Sequence, residues 1–514
     1  MKASAENVLN RFLSASFLQI FRAALVFLIS VILARHFGPE SFGNYAFLTT
    51  AFIQVWSLTD SGFQNSFYTN LSSSRQNKNF YLYSLYILLF QLTFSSLMIL
   101  VFFSTNLLNF LFLDNQRDII FWAFLSIISQ KSFLNNATYI AESIRKNFLG
   151  NIFEFLAIIF QITAISILIL TDLGSLKNIF IAVTISNLLS CIFSISFIKR
   201  EYLYTDIVFK NFYNKVIIYM KPLIFFSWFS FMIQFFDVWI LSKVSGYVEQ
   251  SYFQVGHRFS LIFIVFMVSL TNINWKETAS FISINDYHGM YKFIFNITRY
   301  VTCASIVFSM FLFFSSQNLI TLFFGEDFIS TSSILTFKLL MINIIFHTIG
   351  GISTSSYYGS KRAITIVKFQ SVALIIGLIL SVIFISDSAS FYFGFNLGAK
   401  GLALKILLIS IVFHLASFLY FFKNSQFRAL SLLQPLIRQF ISVSFIGFIL
   451  NHVVNLFFTN IFISLLVYFI FYSVTILIVL FRFPYLLAIK NEEISFFIDY
   501  IKEFLFKKNT KKYN

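Results

Sequence analysis

Runs of roughly twenty apolar residues recur from one end of this chain to the other, separated only by short polar connections. A run of that length folds as a helix, because only a helix satisfies its own backbone hydrogen bonds where no water is present. At 1.5 Å per residue it crosses a hydrocarbon layer of about 30 Å. Charge agrees: 11% of the 514 residues are Asp, Glu, Lys or Arg, against about 25% in a soluble domain. So few charges cannot cover the surface of a soluble fold. The expected class is an all-α integral membrane protein of about fourteen transmembrane helices. They are placed at 13–35, 43–65, 80–104, 119–141, 148–170, 178–198, 217–241, 250–271, 294–315, 333–355, 364–385, 401–422, 439–458 and 461–481. The connections are too short for a catalytic domain. The start does not read as a cleavable signal, since its apolar stretch is long, contains Arg22 and runs on into the second span.

The distribution of charge gives the orientation. Of 37 Lys and Arg, only Arg35, Arg117, Lys177, Lys243 and Lys400 fall on the side opposite the N-terminus. Arg22, Lys131, Arg258, Lys338, Lys368 and Lys405 fall inside spans, and all others lie on the side of the termini. The positive-inside rule then puts both termini in the cytoplasm. The net charge of +16 is thereby topological, and nucleic acid is not expected as a partner. The 75 Phe read as lipid-compatible bulk. Cys191 and Cys303 read as buried small hydrophobes, and the six His show no ligand spacing, so no metal or cofactor is expected. From Asn491 the tail reads as a basic amphipathic surface helix: Ile494, Phe497, Ile498, Ile501, Phe504 and Leu505 recur at helical spacing ahead of Lys507, Lys508, Lys511 and Lys512.

An internal repeat divides the spans. Residues 32–38, ILARHFG, align with 240–246, ILSKVSG, at an offset of 208, and Leu173-Gly174-Ser175 aligns with Leu397-Gly398-Ala399 at an offset of 224. These matches relate spans one to six to spans seven to twelve. An even number of spans keeps both copies in one orientation, which gives two parallel six-helix lobes, an arrangement suited to alternating access, with two extra C-terminal helices. The expected domains are 1–198, 199–422, 423–484 and the tail 485–514.

Charge inside a membrane is costly and usually faces a cavity or a partner. Arg22 lies mid-span in the first helix, Lys131 mid-span in the fourth, and Arg258 about two turns inside the eighth beside His257. Asp60, Glu154 and Asp237 lie near span ends. The three deepest charges are cations, and read along the helices no acid lies at their depth. They are therefore expected to bind an anionic head group, with Arg22 and Arg258 as direct ligands because a guanidinium fork matches phosphate. Asp60, Glu154, Asp237 and His257 are candidates for coupling or gating. Lys338, Lys368 and Lys405 are read as snorkelling to the interface, and His347 and His414 as packed polar residues.

The stretch Val31-Ile32-Leu33-Ala34-Arg35-His36-Phe37-Gly38-Pro39-Glu40-Ser41-Phe42-Gly43-Asn44-Tyr45-Ala46-Phe47 resembles the opening signature of bacterial polysaccharide flippases. These are the O-antigen (Wzx-type) translocases of the multidrug/oligosaccharidyl-lipid/polysaccharide exporter superfamily. Asp60-Ser61-Gly62, the aromatic-to-arginine pattern from Tyr252 to Arg258, Phe323-Phe324-Gly325, and Gly398-Ala399-Lys400-Gly401-Leu402-Ala403 are similar to further family motifs. The chain departs from the family at Phe323 and in its polar fourth span, with Gln130, Lys131, Asn135 and Asn136. The resemblance implies two lobes around a cationic cavity, with Arg22 and Arg258 at the positions of the family's cavity arginines. It implies a substrate of oligosaccharide on undecaprenyl pyrophosphate, such as an O-antigen repeat unit. This would move from the inner to the outer leaflet of the bacterial cytoplasmic membrane by alternating access, with no covalent chemistry. Membrane lipid is a further partner, and a polysaccharide polymerase and chain-length machinery are candidate ones. A multidrug or organic-cation exporter is the first rival, but would want acids deep in its cavity. A polymerase would be expected to show a large Arg-rich outer loop, which is missing. An acyltransferase would want a catalytic His, for which His347 and His414 are the candidates.

Overall fold

The computed structural model describes residues 2–60, 88–97, 107–113, 115–136, 138, 147–199, 224, 227–387, 394–423, 425 and 433–489. These residues are almost wholly helical, with no strands among them. In chain order the helices are α1 (Lys2–Asp60), α2 (Leu88–Leu97), α3 (Arg117–Ile128), α4 (Asn147–Leu170), α5 (Leu176–Lys199), α6 (Ser227–Ser283), α7 (Tyr287–Phe314), α8 (Ser316–Phe324), α9 (Thr331–Gly359), α10 (Ala363–Ile385), α11 (Gly398–Phe421), α12 (Leu433–Phe457) and α13 (Ile461–Arg482). Among the described residues, ten helical stretches are long and apolar enough to cross a membrane. The chain is a multi-pass membrane protein. The spans expected at 80–104 and 119–141 fall partly outside the described residues, and the amphipathic tail wholly so.

Two of the ten stretches are each broken by a glycine, and the breaks carry the repeat. In α1, Gly38 has φ 71° and ψ 179°. In α6, Gly246 has φ 84° and ψ 173°. That region of backbone space is essentially closed to side-chain-bearing residues, so the offset-208 match preserves a glycine for its conformation. At the second offset, Asp172 (φ 55°) and Asn396 (φ 49°) both adopt the left-handed conformation, which Asp and Asn tolerate. Each precedes its Leu-Gly turn. In one copy His36 Nε2 lies 2.9 Å from the Gly174 carbonyl. In the other the Ala399 N–H donates to the Glu249 carboxylate at 2.7 Å, beside Gly398. Thus in each copy a side chain next to the broken helix docks on the Leu-Gly turn.

Contacts group the chain into two compact units, residues 1–266 with 370–405, and residues 267–369 with 406–514. The first unit has a core of Phe47, Phe52, Val55, Trp56, Phe112, Phe124 and Phe180. Helices in lipid gain little from apolar burial and rely on small residues and polar contacts. Gly43 shows this: a Cβ there would lie 1.8 Å from the Tyr247 carbonyl oxygen, so α1 and α6 meet backbone to backbone. Around the contact, Asn44 donates to Asn115 at 2.7 Å and Asn115 to the Tyr247 hydroxyl at 2.8 Å. The polar fourth span serves the same end. Its π-helical segment Ser129–Leu134 presents Ser129 to Asn187 (3.1 Å) and Ser132 to the Trp56 indole N–H (3.0 Å). Asn187 accepts from Gln161 at 2.8 Å, and Asn136 donates to Gln91 at 3.4 Å.

The second unit is built on α7 and α9, each started by a side-chain cap: Asp286 accepts from the Gly289 N–H (2.8 Å) and Ser330 from the Ser333 N–H (2.9 Å). The C-terminal helices α12 and α13 pack on α7 through aromatic contacts. Phe311 stacks on Tyr468 at 5.2 Å, and the Tyr472 hydroxyl donates to the Val307 carbonyl at 2.8 Å.

Candidate functional site

The charges singled out in the sequence fall largely in the first unit, and the structure gives most of the described ones a partner; Lys368, on α10, is exposed. Arg22, on α1, forms an ion pair with Glu154 on α4. The adjacent Phe21 and Phe155 rings meet at 5.8 Å, so the two helices hold the pair from the side. The pair is open in part, with side-chain exposures of 32% for Arg22 and 17% for Glu154. This corrects the expectation that no acid lies at the depth of Arg22. Depth read along separate helices does not reveal which helices are neighbours, and both side chains are long enough to close a difference of one turn.

Arg258 differs. It lies on α6 one turn beyond Gln254, and with the amide oxygen turned toward it Gln254 accepts from Nε and Nη2, each at 2.9 Å. Tyr45 lies within electrostatic range of the same guanidinium and stacks on Phe180 at 5.1 Å. These described partners are neutral. Among the described residues, no carboxylate forms an ion pair with this guanidinium, and Gln254 holds two edges of the fork. Its neighbour His257 stacks on Phe253 at 5.9 Å.

Lys131 lies in the π-helical segment with its ammonium 5.9 Å from the centre of the Trp56 ring, a cation–π arrangement. The Trp56 N–H is tied to Ser132, which fixes the ring. Asp60 ends α1, and its side chain lies outside the described residues.

Asp237, on α6, accepts from Ser381 on α10 and pairs with Lys405 on α11. Lys405 is only 4% exposed. It does not snorkel as the sequence reading expected. It sits about two turns into its helix, where the half-buried Asp237 carboxylate is within reach. Lys338 lies over the Phe313 ring at 5.2 Å. In the second unit His414 Nδ1 faces the Phe346 carbonyl at 3.1 Å, which makes Nδ1 the protonated nitrogen, and its ring meets His347 at 6.1 Å. Among the described residues no cluster of three or more His, Cys, Asp or Glu has the arrangement of a metal site.

Sequence reasoning missed Gln254, Lys405 and Ser381 as partners. Gln254 was visible in principle, four residues before Arg258 and so on the same helix face. Ser381 and Lys405 carry no local signal, because their contact with Asp237 joins three separate helices.

No family model and no curated protein matches the chain. Solved structures do. Lipid II flippase MurJ, in an inward closed conformation, superposes with a TM-score of 0.68 at 18% identity, covering 91% of this chain and 98% of that one. An inward-facing multidrug resistance MATE family transporter of the MOP superfamily gives 0.60 at 13% identity, covering 82% and 99%. A MOP superfamily transporter from Pyrococcus furiosus, described as having a binding pocket of reverse polarity, gives 0.55 at 13%, covering 80% and 94%. The chain has the fold of these transporters.

Proposed function

We propose that this chain is a flippase for a lipid-linked anionic oligosaccharide, of the undecaprenyl-pyrophosphate type, carrying O-antigen or related repeat units from the inner to the outer leaflet of the bacterial cytoplasmic membrane. Lobes 1–198 and 199–422 alternate access to a cavity between them, the added helices 423–484 flank them, and both termini face the cytoplasm. Arg22, Arg258 and Lys131 receive the head group, while the lipid tail stays in hydrocarbon. Asp60, Glu154, Asp237 and His257 act in coupling or gating. The protein lowers the cost of moving a polar head through lipid and is not an enzyme. Membrane lipid is a partner, and a polymerase with its chain-length machinery takes up the product.

The observation that carries this reading is Arg258, a deep guanidinium whose described partners, Gln254 and Tyr45, are neutral. Such a group is stabilised by an arriving anion and opposed by an arriving cation. The organic-cation exporter has the weaker support. The described acids it would use, Glu154 and Asp237, are already held by Arg22 and Lys405.

Complementation tests the reading. In a host lacking the gene, surface polysaccharide disappears and lipid-linked repeat units accumulate in the inner leaflet; the wild-type chain restores both. Arg258→Ala at normal protein level fails to restore, and Arg258→Lys restores less than about a tenth, because an ammonium cannot make the bidentate contact. Full activity of Arg258→Ala, or repeat units still reaching the outer face without the chain, overturns the proposal.

A further inference from the structure

The ion pair between Arg22 and Glu154 is partly open, and on the reading above Arg22 is a ligand for the head group. We infer that Glu154 is an internal competitor for that head group, occupying Arg22 until the substrate arrives and setting the least charge a substrate must carry.

The inference rests on the proposed role of Arg22 and adds a function for Glu154. A carboxylate presents the same two-oxygen edge to a guanidinium as a phosphate does. A carboxylate bound to Arg22 therefore stands where a phosphate would. Glu154 comes from another helix, and the Phe21–Phe155 contact at 5.8 Å keeps the two helices together. The exposures of 32% and 17% leave both side chains partly open to a ligand. A ligand that takes Arg22 must leave Glu154 without its partner. A singly charged ligand merely exchanges one carboxylate-like contact for another and strands the original. A ligand with two or more negative charges makes further contacts and overcomes the exchange. Glu154 thereby discriminates against singly charged anions such as carboxylates and phosphodiesters, and in favour of diphosphates. It also keeps Arg22 neutralised while the site is empty, which suits a cation inside a membrane.

The test measures binding of inorganic pyrophosphate and of the singly charged dimethyl phosphate to the full chain in detergent micelles, by calorimetry. Wild type, Glu154→Gln, Arg22→Ala and the double variant are compared. Glu154→Gln keeps shape and removes charge. It is expected to tighten pyrophosphate about tenfold and dimethyl phosphate by more, so that selectivity between them falls. Arg22→Ala is expected to weaken pyrophosphate, and the double variant to lose the gain made by Glu154→Gln. If Arg22→Ala weakens binding while Glu154→Gln leaves it unchanged or weaker, the competitor role is overturned and the head-group role of Arg22 stands. If neither Arg22→Ala nor Glu154→Gln alters binding, or no variant binds pyrophosphate, both are overturned. Should Glu154→Gln not fold, Glu154→Asp serves in its place: the shorter acid reaches Arg22 less well and gives a smaller gain of the same sign.

Discussion

At the scale of single residues, two of the described charges within spans are held in ion pairs, Arg22 by Glu154 and Lys405 by Asp237. Lys405 and Asp237 show what a pair means energetically. With Lys405 4% exposed, removing one partner strands the other charge away from water, which costs about 3–5 kcal/mol, whereas replacing both by neutral groups of similar size is often close to neutral. Lys405→Met is therefore expected to lower the melting temperature in detergent sharply, and Lys405→Met with Asp237→Asn to recover most of the loss. A double variant as unstable as the sum of the singles would show that the two residues act independently. The deep cations Arg22, Lys131 and Arg258 were legible in the sequence, because a charge in an apolar run announces itself. Their partners were not. Glu154 and Asp237 appeared only as acids near span ends, and the pairing depends on which helices become neighbours, which no local pattern encodes.

At the scale of elements, two glycines in one helix break are needed for different reasons. Gly38 has open space around its Cβ position but a backbone conformation, φ 71° with ψ 179°, that a side chain strains by about 1–3 kcal/mol. Gly43 is an ordinary helical residue whose Cβ would meet the Tyr247 carbonyl oxygen at 1.8 Å. Both Gly38→Ala and Gly43→Ala are expected to destabilise the fold. The second separates α1 from α6 and is not rescued by Tyr247→Ala, because the obstacle is backbone; thermal melts of the single and double variants decide this, and rescue would place the obstacle in the side chain. The repeat was legible at offsets 208 and 224 through a few matching residues. The structure explains why so few were retained: Gly38 and Gly246 share a glycine-only conformation, and Asp172 and Asn396 share a left-handed one, while the lipid-facing residues between them need only be apolar. The polar fourth span was read as a departure from pattern. Its polarity goes into hydrogen bonds that Ser129 and Ser132 accept from Asn187 and Trp56, each worth about 0.6 kcal/mol in a membrane.

At the scale of the whole molecule, the asymmetry of Lys and Arg is the argument for orientation, and it is testable with the chain's own chemistry. Translocation in the cell leaves positive loops on the cytoplasmic side, and on the fourteen-span reading of the sequence this chain concentrates them with its termini. Cys191 and Cys303 are buried, at 5% and 6% exposure, so they form a quiet background for labelling. Lys177, in an exposed pair with Asp118 at 2.7 Å, is placed by that reading on the sparse side, and Lys361, exposed just after α9, on the dense side. Lys177→Cys is expected to react with a membrane-impermeant maleimide in cells whose outer envelope alone is opened. Lys361→Cys is expected to react only after the cytoplasmic membrane is breached. Labelling in the reverse order would invert the chain and place the loading side of the proposed site outside, so the proposed direction of transport and the orientation of the helices stand or fall together.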